Sequence, residues 1–152
     1  MRSEFRQEIE FGLENLAKVA ASISAIAAQN VPALVLAPAL AFECLGYYNA
    51  LEHLMIRCLK QQGITPASGP SWHRDTLRAF EKLLTETGLP LGQNLSDVAT
   101  ELMGFRHVAT KIYGFLIDQA RLLALVKIIQ SNHAGLQHVV EELLDKLVPP
   151  QS

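Results

Sequence analysis

The stretch Leu40-Ala41-Phe42-Glu43-Cys44-Leu45-Gly46-Tyr47-Tyr48-Asn49-Ala50-Leu51-Glu52-His53-Leu54-Met55-Ile56-Arg57-Cys58 decides the fold class. Within it Leu40, Cys44, Tyr47, Leu51, Leu54 and Cys58 follow one another at steps of four, three, four, three and four residues. An α-helix turns about 100° per residue, so side chains at that spacing line one face and form a stripe that needs burial. A half-buried strand alternates every second residue instead, and no such alternation occurs in the chain. The helix starts between Pro32 and Pro38. Proline fits a first helical turn, so a start near Pro38 costs least, while a start near Pro32 implies a kink. Gly63 ends the helix.

The same period recurs on both sides of this stretch. Ser3 can cap a first helix, with Glu4, Glu8 and Glu10 near its positive end, and Ile9, Leu13, Leu16, Ala20, Ile23 and Ala27 form its stripe to about Ala28. Ile64 to Pro70 is a loop by composition. Ser71 caps a third helix, Trp72 to about Thr87, with Leu77, Phe80 and Leu84 as its apolar face. Gly88, Pro90 and Gly92 break the chain there. A fourth helix starts near Ser96 and carries Val98, Leu102, Phe105, Ala109 and Ile112, with a bend or end allowed at Gly114. Asp118 caps a fifth, whose face is Leu122, Leu125, Ile129, Leu136, Val140, Leu143 and Leu147, loosened at Gly135. Short connections favour antiparallel neighbours. The expectation is all-α: an up-and-down antiparallel bundle of four to five helices, folded as a single domain over 1–152.

Composition agrees. Apolar residues make up 49% of the 152 residues and charged residues 18%, which fits a large buried core with some apolar surface left to meet another chain. The net charge of −2 restricts any nucleic-acid contact to a local patch. Val31 to Phe42 is strongly apolar but only about a dozen residues long, short of the roughly 20 that span a bilayer, and it reads as a buried core helix. Cys44 and Cys58 lack metal-site spacing and read as buried thiols; no metal or cofactor is expected. A reducing cytoplasm is the default compartment.

Polar chemistry concentrates in Gly104-Phe105-Arg106-His107-Val108-Ala109-Thr110-Lys111-Ile112-Tyr113-Gly114-Phe115. Arg106 and Tyr113, seven apart, share nearly one helix face. His107 and Lys111, four apart, share the neighbouring face. A guanidinium fork, an imidazole, an ammonium and a phenol within two turns could together hold an anionic substrate. Elsewhere, Tyr48 and Glu52 read as a buried hydrogen-bonded pair, and Trp72 and His73 as capping and packing of the third helix. Arg74 and Arg78 read as a solvated face able to extend an RNA surface, and His133 and His138 as surface residues.

Three segments carry a resemblance. Tyr48-Asn49-Ala50-Leu51-Glu52, Ser71-Trp72-His73-Arg74-Asp75 with Leu77, and Phe105-Arg106-His107 through Tyr113-Gly114-Phe115 occur in this order. Together they resemble the HepT-like branch of the HEPN domains, whose third segment reads Phe-Arg-His-x-x-x-His-x-Tyr-Gly. The resemblance implies a helical homodimer that sets two copies of an Arg-x4-His motif side by side. It further implies metal-independent endoribonuclease activity as a toxin. The implied partner is a small nucleotidyltransferase antitoxin that attaches AMP to the motif tyrosine. Matched residue by residue, Arg106 is the motif arginine, Tyr113 the AMP acceptor, and the catalytic histidine position holds Lys111, with His107 beside Arg106. A lysine donates to phosphate readily, but its unperturbed pKa of about 10.4 makes it a poor base at pH 7. Two alternatives therefore stand beside the enzyme: a non-catalytic HEPN homodimer that binds RNA or nucleotide or bridges proteins, and a structural homodimer whose motif is a relic.

Overall fold

The Ser3 hydroxyl accepts the Arg6 backbone N–H at 3.1 Å, satisfying one of the open donors of the first turn. The helix it starts, α1, runs Glu4–Ala27. In this computed structural model, which describes residues 3–89, 92–111 and 118–148 (Gln93, Thr110 and Lys111 by their backbone alone), four more helices follow. They are α2 (Ala33–Gln61), α3 (Trp72–Glu86), α4 (Gln93–Lys111) and α5 (Gln119–Leu147). Among the described residues every regular element is a helix, as the periodicity requires.

Registers between helices follow from specific pairs. Glu8 meets Arg57 in an ion pair, and Gly12 lies against Leu54, so α1 and α2 run antiparallel. A Cβ at residue 12 would sit 2.5 Å from Leu54 Cδ2, so the glycine makes room for the Leu54 side chain. On its other side α1 meets α5, again antiparallel. Arg6 Nη2 donates to Asp145 Oδ1 at 3.0 Å and to the Val148 carbonyl at 2.5 Å, while Gln130 Nε2 donates to Ser24 Oγ at 3.1 Å. Gly135 of α5 packs near Leu95 of α4, and Gly104 near Arg121, so this pair is antiparallel too. α2 packs on all four other helices, and its stripe Leu40, Cys44, Tyr47, Leu51, Leu54 and Cys58 is entirely buried. Arg6 ties the end of α5 to the start of α1. Arg6→Ala is expected to cost about 1–2 kcal/mol in a urea melt, chiefly through the lost bond to the Val148 carbonyl, because the exposed Asp145 adds little.

Some boundaries differ from the sequence expectation. α2 begins at Ala33, behind Pro32, with Pro38 inside it. Pro38 removes only the N–H that would reach the Leu34 carbonyl, close to an exposed helix start, so continuing the helix costs little there. Val31 to Phe42 is not a core segment throughout. Leu40 and Ala41 are buried, whereas Val31, Leu34, Val35 and Phe42 are exposed, Leu34 at 84%. Val35 and Phe42, seven apart, share the face opposite Leu40, which none of the described residues covers. Ala33–Gln61 is long and apolar enough to cross a membrane by length and composition, but beyond Pro38 one face of it is the bundle core.

α4 begins at Gln93, three residues ahead of Ser96. Gly92, at φ 79°, makes the turn, and its carbonyl accepts the Ser96 N–H. Ser71 occupies the N-cap position of α3, but its hydroxyl bonds Asp75 Oδ2 at 3.1 Å in place of a backbone N–H. α5 passes through Gly135 unbroken, and Asp118 caps it by accepting the Ala120 N–H at 2.9 Å. Ile112 and Gly114 lie outside the described residues. Cys44 and Cys58 are free and buried, and burial pushes both thiols up to about 12.

Candidate functional site

Arg106 and His107 follow directly on Phe105, which is 2% exposed and with Val98, Ala99 and Leu102 forms the buried face of α4. With Phe105 turned into the core, the next two side chains emerge toward the N-terminus of α3. They line a cleft of about 410 Å³ together with Gly104, Met103 and Thr100 of α4 and with Pro70, Ser71, His73 and Arg74 from the start of α3. Arg106 is half-buried, with its Nε shielded from solvent, while His107 and Arg74 are exposed. Arg121 of α5 reaches the same edge, its Nη2 being 3.6 Å from where a Cβ on Gly104 would stand. Three arginines and two histidines thus gather around one opening, in a chain whose net charge is −2.

Behind the cleft lies a polar link between helices. The Tyr48 hydroxyl donates to Glu52 Oε2 at 2.6 Å, and the same oxygen meets His73 Nδ1 at 2.5 Å. Tyr48 is 1% and Glu52 6% exposed, so this carboxylate is an interior group that joins α2 to α3. The hydroxyl of Tyr48 is held far above the usual phenol range, first by burial, then by its bond to Glu52 and by that residue's charge. The positive charge of Arg106 pulls the other way. The His73 ring stacks on Trp72, centroids 3.5 Å apart and planes tilted by 32°. It is therefore fixed on two sides, with Nε2 left over.

Sequence reasoning anticipated some of this. Tyr48 and Glu52 form the expected pair. Arg106 and His107 share one cleft with Arg74. Lys111 is the last described residue of α4, with its backbone alone described, and Tyr113 lies outside the described residues. The sequence reading gave His73 a packing role only and left Arg121 unassigned. The link from His73 to Glu52 joins residues 21 apart across a loop, which no helical period reveals; its one signal is the segment Trp72-His73-Arg74-Asp75 itself. His133 is half-buried and joined to the interior, where a surface position was expected. Its Nδ1 meets the Tyr47 hydroxyl at 2.9 Å, its ring stands edge-on to Tyr47 at 5.8 Å, and burial lowers its pKa. His138 is exposed beside Glu142. Among the described residues no three His, Cys, Asp or Glu side chains converge as a metal site would require.

One comparison places the chain in a known class. It belongs to the family of HepT-like proteins, whose model matches residues 39–147, a span that takes in Tyr48, Glu52, His73, Arg106 and His107. Comparisons with curated proteins and with solved structures give no match.

Proposed function

We propose that this protein is a HepT-like toxin, acting as one domain in the cytoplasm, that engages RNA at the cleft between α3 and α4. Arg106 grips phosphoryl oxygens with its planar fork, His107 adds a donor beside it, and Lys111, five residues on in the sequence, is the further candidate donor. Arg74 and Arg121 steer the strand toward them. The observation that carries this reading is the convergence of Arg106, His107 and Arg74 on one cleft inside the span that matches the family. The protein acts as a homodimer; the exposed apolar side chains of Leu34, Val35 and Phe42 support an interface on α2. A small nucleotidyltransferase antitoxin neutralises it by attaching AMP to Tyr113, seven residues on from Arg106 in the sequence.

Lys111 favours a second reading, RNA binding without cleavage, because a protonated amine stabilises a phosphate but does not take a proton from a hydroxyl at pH 7. Affinity and cleavage measured on one single-stranded RNA separate the two. Arg106→Ala is expected to bind about 10- to 150-fold more weakly, the worth of a charge-assisted hydrogen-bonded contact. Lys111→Ala is expected to reduce the slope of log affinity against log salt by about 0.7, one single-strand phosphate contact. Equal RNA affinity in wild type and Arg106→Ala contradicts the site. Cleavage by the wild type that Arg106→Ala abolishes excludes binding alone.

A further inference from the structure

Arg106 grips phosphate and His107 can serve one proton transfer, which leaves the cleft one group short. RNA cleavage through the 2′-hydroxyl needs one group to take that proton and another to protonate the departing 5′-oxygen. We propose that His73 is the base, held in place by Glu52 and Tyr48; the proposal rests on the RNA-directed reading above.

The geometry supports it from two directions. On the inner side, Glu52 Oε2 accepts from both the Tyr48 hydroxyl and His73 Nδ1. With the Nδ1 proton committed to a carboxylate, the neutral ring carries its lone pair on Nε2. On the outer side, His73 lines the cleft that Arg106 and His107 line from α4, so a phosphodiester held by Arg106 shares that cleft with the ring. Stacking on Trp72 fixes the plane of the ring. Mere anchoring of α3 explains this poorly. An interior carboxylate is costly to desolvate, and apolar packing of the same volume joins two helices at least as well. A carboxylate that orients a histidine at the edge of a cationic cleft has a chemical use, namely a fixed tautomer and direction.

In the step, the O2′–H proton passes to Nε2 of His73 as O2′ forms a bond to phosphorus. The P–O5′ bond breaks, and the 5′-oxygen takes a proton from the imidazolium of His107. The products are a 2′,3′-cyclic phosphate and a 5′-hydroxyl, and water returns the proton from His73 to His107. Arg106 balances the charge on the phosphoryl oxygens throughout. Glu52 and Tyr48 are positioning residues.

The test measures affinity and cleavage of an end-labelled single-stranded RNA in parallel. His73→Asn keeps a side-chain N–H for Glu52 and deletes the second ring nitrogen, Nε2. It is expected to bind RNA within about twofold of wild type and to cleave about 100-fold more slowly or worse, the usual contribution of a general base. His73→Gly supplies an internal control: added imidazole is expected to restore cleavage, with substituted imidazoles acting in proportion to their basicity, a response that lost packing does not give. Wild-type cleavage that persists in His73→Asn, or an imidazole-insensitive His73→Gly, overturns the role while the RNA-directed reading stands. So does a wild type that binds RNA without cutting it. A wild type that neither binds nor cuts defeats the RNA-directed reading itself, and the role of His73 with it.

Discussion

Between pH 9 and pH 12 the folded protein is expected to lose roughly 8 kcal/mol of stability, most of what a domain of this size has. The cause is the pair of interior thiols on α2. Burial raises Cys44 from 9.0 to about 12, with the charge of Glu43 adding to it. Burial does the same for Cys58, against a smaller opposing pull from Arg57. Each group holds its proton more tightly when folded than when unfolded. Its contribution is therefore fully present below pH 9 and disappears as pH climbs toward 12, because the unfolded chain ionises first. Tyr47 and Tyr48, both raised by burial, extend the loss above pH 10. Urea unfolding at pH 7, 9, 10 and 11 measures it. The midpoint is expected to hold to pH 9 and then fall steeply, and a Cys44→Ala, Cys58→Ala double variant is expected to fall less steeply from a lower start. A wild-type midpoint that is flat to pH 11 contradicts the burial of these thiols.

Phe105→Ala is expected to cost about 3–5 kcal/mol, the range for emptying the site of a core aromatic. For a chain of this length that lowers Tm by roughly 6–20 °C. Phe105 is 2% exposed in the same core as Leu102 and Val98 of its own helix. Its second effect bears on function. With Val98, Ala99 and Leu102, the ring makes up the buried face of α4, which leaves Arg106 and His107 toward α3. RNA affinity is therefore expected to fall together with stability, and at a temperature well below the new Tm it should remain below wild type. Calorimetry and RNA titration at about 10 °C separate the two effects. An RNA affinity unchanged in the folded Phe105→Ala protein argues against this ring as part of what aims Arg106.

The helices were legible because their apolar stripes are long. Five spaced residues such as Leu122, Leu125, Ile129, Leu136 and Val140 leave no competing period, and all five are buried. Helix starts were harder. Proline at residue 38 is a breaker in general but tolerable near an exposed N-terminus, and Ser96 looks like a cap until Gly92 is seen to make the turn three residues earlier. The site was legible in part for the same reason of locality. Tyr48 and Glu52 lie one turn apart on one helix, and Arg106 and His107 adjoin a motif. His73 and Arg121 join the site only through tertiary packing, from helices whose faces toward α2 and α4 are set by other residues. The apolar segment before Leu40 shows the converse. Its composition suggests core, yet Val35 and Phe42 point the opposite way from Leu40, and hydropathy alone carries no direction.

RNA lying in the cleft between the start of α3 and α4 would be sensed by the residues that line it. The measurement is a titration of the isotope-labelled protein with a 2′-O-methyl single-stranded RNA, which has no 2′-hydroxyl to react. Chemical-shift changes are expected in the backbone amides of residues 71–74 and 100–107 and in the guanidinium signals of Arg74, Arg106 and Arg121. Changes confined to the acidic groove of Arg6, Glu10, Glu14 and Glu141 between α1 and α5, or no changes at any concentration, contradict the account.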